Sequence, residues 1–321
     1  PLTALNGSVI EGAYNNTNSG ISLEIPIADD SSLLNGSAII KVALIDLDVL
    51  DETLPADIDT VLIDEINTTL IMTLDHATLS GLTGFGSNYR MDITAGLLDY
   101  AGNQELGSET LQYLTIDLDS PDQPVVNDTT TVGGIVATGY WNASNSGIEL
   151  TVATPAVADS SLIGGYFQVL GRVGLESFVN LGDSVDIETP NFTELTTTID
   201  SIEIEALPGF GENLNIDLQI FIVDGRGNLT VGTPINGWLL IDQVIPVTGS
   251  FVTELTTDDP FINAEDSLKA QWTGFSDATT GIANYLYGVG DAIGGSIYVN
   301  WLEVEGTTKD TLLDYTHAEP Y

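Results

Sequence analysis

The feature that most constrains this chain is that it repeats itself. Tyr14-Asn15-Asn16-Thr17-Asn18-Ser19-Gly20-Ile21 returns as Trp141-Asn142-Ala143-Ser144-Asn145-Ser146-Gly147-Ile148. Asp30-Ser31-Ser32-Leu33 returns as Asp159-Ser160-Ser161-Leu162, with Gly36 matching Gly165. Gly84-Phe85-Gly86 returns as Gly209-Phe210-Gly211, and Asp99-Tyr100-Ala101-Gly102-Asn103 as Asp224-Gly225-Arg226-Gly227-Asn228. Ile116-Asp117 with Pro121 returns as Ile241-Asp242 with Pro246. The offset stays between 125 (Asp99 to Asp224) and 129 (Asp30 to Asp159). Five blocks in one order at nearly one spacing require one fold used twice. The expected units are residues 1–121, 122–246 and a shorter remainder, 247–321.

Within each repeat the periodicity is that of β-strands. Ile21, Leu23, Ile25 and Ile27 alternate with other residues, as do Leu214, Ile216, Leu218, Ile220 and Ile222. Ile202 and Ile204 alternate with Ser201, Glu203 and Glu205, and Leu70–Leu79 also reads as strand. No stretch holds an apolar 3.6-residue stripe for ten positions. Short strands separated by Gly, Asn and Asp turns predict an all-β sandwich or barrel, and one polar and one apolar face per strand favours two sheets packed face to face. Asn-Ser-Gly and Gly-Phe-Gly read as turns that tolerate positive φ. Asp-x-x-Gly-Asn reads as a hairpin tip whose Asp bonds backbone amides.

Composition excludes several functions. The chain carries 47 acidic and 6 basic residues, a net charge of −41, yet only 17% of its residues are charged. Phosphate binding needs Lys and Arg clusters, so nucleic acid is excluded as a partner, and an anionic membrane surface is disfavoured likewise. A surface of Thr, Ser, Asn and Gly with so few cations suits a secreted protein in a salty or divalent-rich medium. With no cysteine there is no disulfide frame, thiol chemistry or Cys-based zinc site. No apolar run approaches the ~18 residues that span a bilayer. The chain starts at Pro1 without Met or signal peptide, which is expected if an upstream portion precedes it.

These blocks resemble the bacterial and archaeal immunoglobulin-like repeats of large cell-surface proteins, whose modules close with Asp-x-Ala-Gly-Asn and an Ile-Asp…Pro linker. The resemblance covers residues 1 to about 246 and implies tandem immunoglobulin-like β-sandwiches. Trp272-Thr273-Gly274-Phe275-Ser276-Asp277, Gly281-Ile282 and Tyr285-Leu286-Tyr287 resemble the start of a fibronectin type III-like module. Two departures stand out. Arg226 replaces Ala in the second loop, and the acidic segment Asp46–Asp59 has no counterpart in the second repeat.

Catalytic patterns are missing from the sequence. His76 and His317 have no second histidine nearby, no HExxH or G-x-S-x-G occurs, and Gly288-Val289-Gly290 lacks dinucleotide spacing. Calcium is the chemical possibility with a physical basis, because it takes six to eight oxygens and nothing else. Asp117, Asp119 and Asp122, around Pro121 and Pro124, fall at the first junction and form the candidate site. The resemblance adds to it, since related surface arrays stiffen junctions with calcium. Asp242–Pro246, at the second junction, offers one carboxylate and is the weaker candidate. Asp46, Asp48, Asp51, Glu52, Asp57 and Asp59 read as a solvated acidic loop. Glycosylation sequons occur at Asn6, Asn15, Asn35, Asn67, Asn127, Asn142, Asn191 and Asn228.

The expected function is that of an extracellular, non-enzymatic structural or adhesive segment: stalk, surface layer or filament. Its partners would be other copies of itself, or cell-surface proteins and glycans. The rival reading is a glycan-binding or accessory region of a secreted enzyme, with Tyr140, Trp141, Trp238, Trp272 and Trp301 as stacking residues. Two explanations account for the short third segment: the chain is a piece of a longer one, or a neighbouring copy supplies a strand to residues 268–305.

Overall fold

The computed structural model describes residues 2–52, 56–107, 113–153, 159–189, 194–252, 268–289, 299–305 and 310–313. The first repeat runs through strands β1 (Leu2–Leu5), β2 (Ala13–Asn15), β3 (Gly20–Ile27), β4 (Ser37–Asp46), β5 (Ala56–Leu62) and β6 (Thr68–Asp75). Helix α1 (His76–Ser80) and strands β7 (Tyr89–Leu98), β8 (Gln104–Leu106) and β9 (Tyr113–Asp117) complete it. The second follows as β10 (Val125–Val132), β11 (Tyr140–Trp141), β12 (Gly147–Ala153), β13 (Tyr166–Val173), β14 (Val179–Asn180), β15 (Val185–Asp186) and β16 (Glu194–Asp200). It ends with α2 (Ser201–Glu205), β17 (Asn215–Val223), β18 (Leu229–Val231) and β19 (Ile235–Ile241).

Each repeat is a two-sheet sandwich with the same strand order. One sheet is β1-β3-β6, matched by β10-β12-β16. The other is β2-β9-β7-β4-β5 with β8 on β7, matched by β11-β19-β17-β13-β14 with β18 on β17. The short strands β2 and β11 run parallel to β9 and β19, against antiparallel pairing in the rest of both sandwiches. Period-two alternation puts one side of each strand inside. Ile21, Leu23, Ile25 and Ile27 fill the first core, and Ile216, Leu218, Ile220 and Ile222 the second. Tyr14 and Trp141, at equivalent positions, are fully buried anchors. Truncating Trp141 to alanine is worth about 3–5 kcal/mol on general grounds.

Three readings of the sequence need correction. The Ile202/Ile204 alternation is not a strand. Asp200 accepts a hydrogen bond from the Glu203 amide, caps the chain and starts α2, so Ile204 is fully buried and Ile202 is 77% exposed. Likewise Asp75 accepts from the Thr78 amide and ends the strand-like stretch at residue 75. The glycine of Asn-Ser-Gly is not there for positive φ. Gly20 and Gly147 open β3 and β12, and a Cβ on either would lie 2.3 Å from the Leu74 carbonyl oxygen or 2.5 Å from that of Ile199. Close backbone approach demands glycine there.

The third segment contributes β20 (Ser250–Val252), β21 (Leu268–Thr273), β22 (Asn284–Val289), β23 (Val299–Glu305) and β24 (Asp310–Leu313). They form sheets β20-β21-β24 and β22-β23. Among the described residues, β20 pairs with Gln271–Thr273 of β21 and β24 with Leu268–Gln271, so each neighbour covers part of the strand.

Candidate functional site at the module junction

The repeated asparagine turn sits just after β2, at the end of the first sandwich that meets the linker. Asn15 Oδ1 accepts from the Thr17 amide (3.0 Å) and hydroxyl (2.6 Å), and Asn18 Oδ1 accepts from the Asn15 amide at 2.8 Å. Asn15 Nδ2 donates to the Ser8 carbonyl at 2.6 Å. The second repeat rebuilds this turn atom for atom. Asn142 Oδ1 accepts from the Ser144 amide and hydroxyl, Asn145 Oδ1 from the Asn142 amide, and Asn142 Nδ2 donates to the Ile135 carbonyl. Short polar side chains bond nearby backbone this way, which fixes the turn without regular structure.

The Asp-x-x-Gly-Asn loop is likewise built twice. Asp99 accepts from the Asn103 amide (2.7 Å) and Asn103 Nδ2 (2.8 Å), and Asp224 does so from Asn228 at 2.9 Å each. Gly102 and Gly227 supply the left-handed residue, at φ 90° and 94°. The hydrogen bonds hold the Asp99 carboxyl below its usual range, the largest cause being Asn103.

At the first junction the two motifs meet. Asn15 Nδ2 donates to the Arg226 carbonyl at 2.8 Å, and the Asn16 amide donates to Asn228 Oδ1 at 3.0 Å. The linker is docked as well: Thr230 Oγ1 donates to the Pro121 carbonyl at 2.6 Å, and Asn16 Nδ2 to Ser120 Oγ at 2.8 Å. Asn15, Asp224 and Asn228 are buried. Each such bond is worth about 1 kcal/mol net, more where breaking it strands a buried partner.

Asp117, Asp119 and Asp122 line one cavity of about 500 Å³ at this junction, together with Asp159, Ser161 and Arg226. Burial pushes the Asp117 carboxyl up to about 6, reinforced by Asp224, Asp119 and Asp159 and opposed by the Asp119 amide. The predicted residues are therefore brought to one wall. They do not close on a point: among the described residues no group of three carboxylates or imidazoles is placed to hold a metal ion. Arg226, the departure noticed in the sequence, brings a fixed positive charge to the same cavity.

The second junction gathers acidic groups that sequence spacing did not reveal. Glu212 occupies the place of Ser87 after the Gly-Phe-Gly turn. Ser87 Oγ accepts from the Leu118 amide at 2.8 Å, and Glu212 Oε2 from the Gln243 amide at 3.0 Å. Thr279 donates to Glu212 Oε1 (2.6 Å) and Thr280 to Asp242 Oδ2 (2.5 Å), while Asp277 caps the amides of Thr279, Thr280 and Gly281. Aligning the repeats exposes the Ser-to-Glu change, but not its meeting with Asp277.

The sequons divide. Asn6, Asn35, Asn67 and Asn127 are exposed. Asn15 and Asn228 have their amides committed inside the junction, so neither can carry a glycan without opening it. Asn142 is half-buried in its turn, and Asn191 and His317 lie outside the described residues. In the acidic loop, Asp46 caps the amides of Asp48 and Val49, and Asp57 pairs with Lys41. His76 Nδ1 contacts the Tyr14 hydroxyl at 2.9 Å, a packing role beside the core. The tryptophans do not share one exposed face: Trp141 and Trp272 are buried, Trp238 packs on the second core, and Trp301 is 53% exposed.

No family model and no curated protein matches this chain. Among solved structures it is similar to the FN1–FN3 domains of chicken CNTN1. That likeness has 9% identity and a TM-score of 0.27, over 98% of this chain and 89% of that one. At that score it carries no argument. The assignment as all-β tandem sandwiches rests on strand pairing and on the two cores.

Proposed function

We propose that this chain is a segment of an extracellular structural or adhesive protein, a stalk, surface layer or filament built from immunoglobulin-like modules, and that it performs no catalysis. The observation that carries this is the interlocked first junction. Loops from two sandwiches, each with its own core, bond directly and bury Asn15, Asp224 and Asn228 between them. Chained sandwiches with fixed junctions give reach and stiffness, which is what a spacer needs. The acidic, cation-poor, cysteine-free composition supports a secreted setting, and the motif resemblance supports a bacterial or archaeal cell surface. Exposed Asn6, Asn35, Asn67 and Asn127 are the glycan acceptors in this reading. The partners are other copies of the chain or surface proteins and glycans.

Calcium belongs to the same proposal only as an ion held against Asp117, Asp119 and Asp122 with much of its shell supplied by water. Electron microscopy with small-angle scattering tests the reading. Stiff rods of constant inter-repeat geometry support it, and particles with freely variable repeat angles refute it.

A further inference from the structure

The second junction differs from the first in one way that changes its chemistry. Where the first repeat has the neutral Ser87, the second has Glu212, set against Asp242. Asp242 Oδ1 is buried with no hydrogen-bond partner, while its Oδ2 accepts from Thr280 Oγ1. Glu212 Oε1 and Oε2 are both occupied, by Thr279 Oγ1 and the Gln243 amide. The two carboxyl groups are thus held side by side by adjacent threonines of one turn, with one buried oxygen unpaired.

We propose that the second junction is an acid-closed hinge: Asp242 and Glu212 share one proton while the 277–281 turn of the third segment is seated on them, and the turn is released when that proton passes to solvent. The surroundings favour the proton. Among the described residues, the groups facing the pair are Asp277 on the seated turn and Glu205 at the end of α2, which accepts from Gln243 Nε2 at 2.6 Å. All are acidic. The ion pairs among the described residues, Lys41–Asp57, Arg90–Asp92 and Arg172–Asp217, lie elsewhere. Burial raises the Asp242 carboxyl, opposed by the Thr280 hydroxyl and reinforced by Asp277 and Glu212. Against its burial, Thr279 and the Gln243 amide lower that of Glu212, so Asp242 is the better placed of the two to hold the proton. A raised folded value means that closure is complete in acid and is lost as pH rises through that value. Like-charge pairs in one site behave this way generally.

The hinge does not depend on the stalk reading. The chain has no cysteine, so a pair at exposed Ala206 and Ala283 can carry fluorophores on the full chain. With chelator present throughout, energy transfer is expected to report one narrow distance at pH 5 and a longer, broader one at pH 7.5. Asp242→Asn and Glu212→Gln each supply the shared hydrogen permanently, so each is expected to keep the narrow distance at both pH values. Two neutral variants guard against one failing to fold. A wild-type distance unchanged between pH 5 and 7.5 overturns the hinge, as does a pH response that survives both substitutions.

Discussion

The same five-residue loop occurs twice in this molecule and lives in two environments. Asp99–Asn103 in the first repeat and Asp224–Asn228 in the second share their internal hydrogen bonds and their left-handed glycine. Yet Tyr100 is 78% exposed at the tip of the first, whereas Asn228 is fully buried in the second, beneath the asparagine turn of the preceding repeat. The asparagine turns show the mirror image. Asn15 is buried against the second repeat, and Asn142, bonded identically within its own turn, is only half-buried. Local sequence therefore builds the loop, and neighbouring modules decide whether it becomes an interface.

The sharpest way to break this comparison is to remove the asparagine from each loop. Asn228→Ala strands the buried Asp224 carboxylate and the Asn16 amide, and should destabilise the second repeat by about 2–4 kcal/mol in denaturant unfolding. Asn103→Ala removes the equivalent Nδ2 bond to Asp99, where water can replace it, and should cost about 0.5–1 kcal/mol. Equal costs would mean that burial of the second loop contributes nothing. The asparagine turns provide a second contrast. Asn15→Ala and Asn228→Ala should couple by about 1 kcal/mol in a double-mutant cycle, since Asn15 reaches the loop backbone at Arg226. Asn142→Ala and Asn228→Ala should be additive.

A smaller effect is expected from pH at the first junction. The Asp117 carboxyl, ordinarily near 3.8, is raised to about 6. The folded chain then binds the proton more tightly than the unfolded one, so this group adds stability as pH falls from 7 to 5. Allowing for solvent at a half-buried site, the gain over that range is about 0.5–1 kcal/mol. Asp117→Asn should be more stable than the parent at pH 7 and should lose that slope. A parent whose melting temperature falls on mild acidification, with no difference from the variant, would contradict the assignment.

The smallest effect concerns calcium. If calcium is held against Asp117, Asp119 and Asp122 largely through water, chelation should lower the melting temperature slightly, and Asp119→Asn should abolish that shift. Chelator-insensitive melting would leave a bare acidic linker.

How far the sequence could be read follows from the range of each interaction. The sandwiches were legible because period-two alternation and repeated turns are local signals. The α2 helix was not, because Ile202 and Ile204 alternate like a strand, and only the Asp200 cap tells against it. Asn15 and Asn228 match a glycosylation signal whose three residues say nothing about burial. Asp117, Asp119 and Asp122 could be placed together from proximity in the chain. Glu212, Asp242 and Asp277 could not, since folding across two modules is what joins them. The Arg226 departure was visible, but its place on the cavity wall needed the second sandwich to be docked.

The central claim is that two repeats are locked together through the Asn16 amide and its neighbours, and amide hydrogen exchange tests it residue by residue. Asn16 donates to Asn228 Oδ1 across the junction. Its counterpart Ala143 sits in an identical turn and makes no such bond among the described residues. The account predicts slow exchange at Asn16, fast exchange at Ala143, and an Asn16 rate that rises to match Ala143 in Asn228→Ala. Equal, fast exchange at both amides in the parent chain would contradict it.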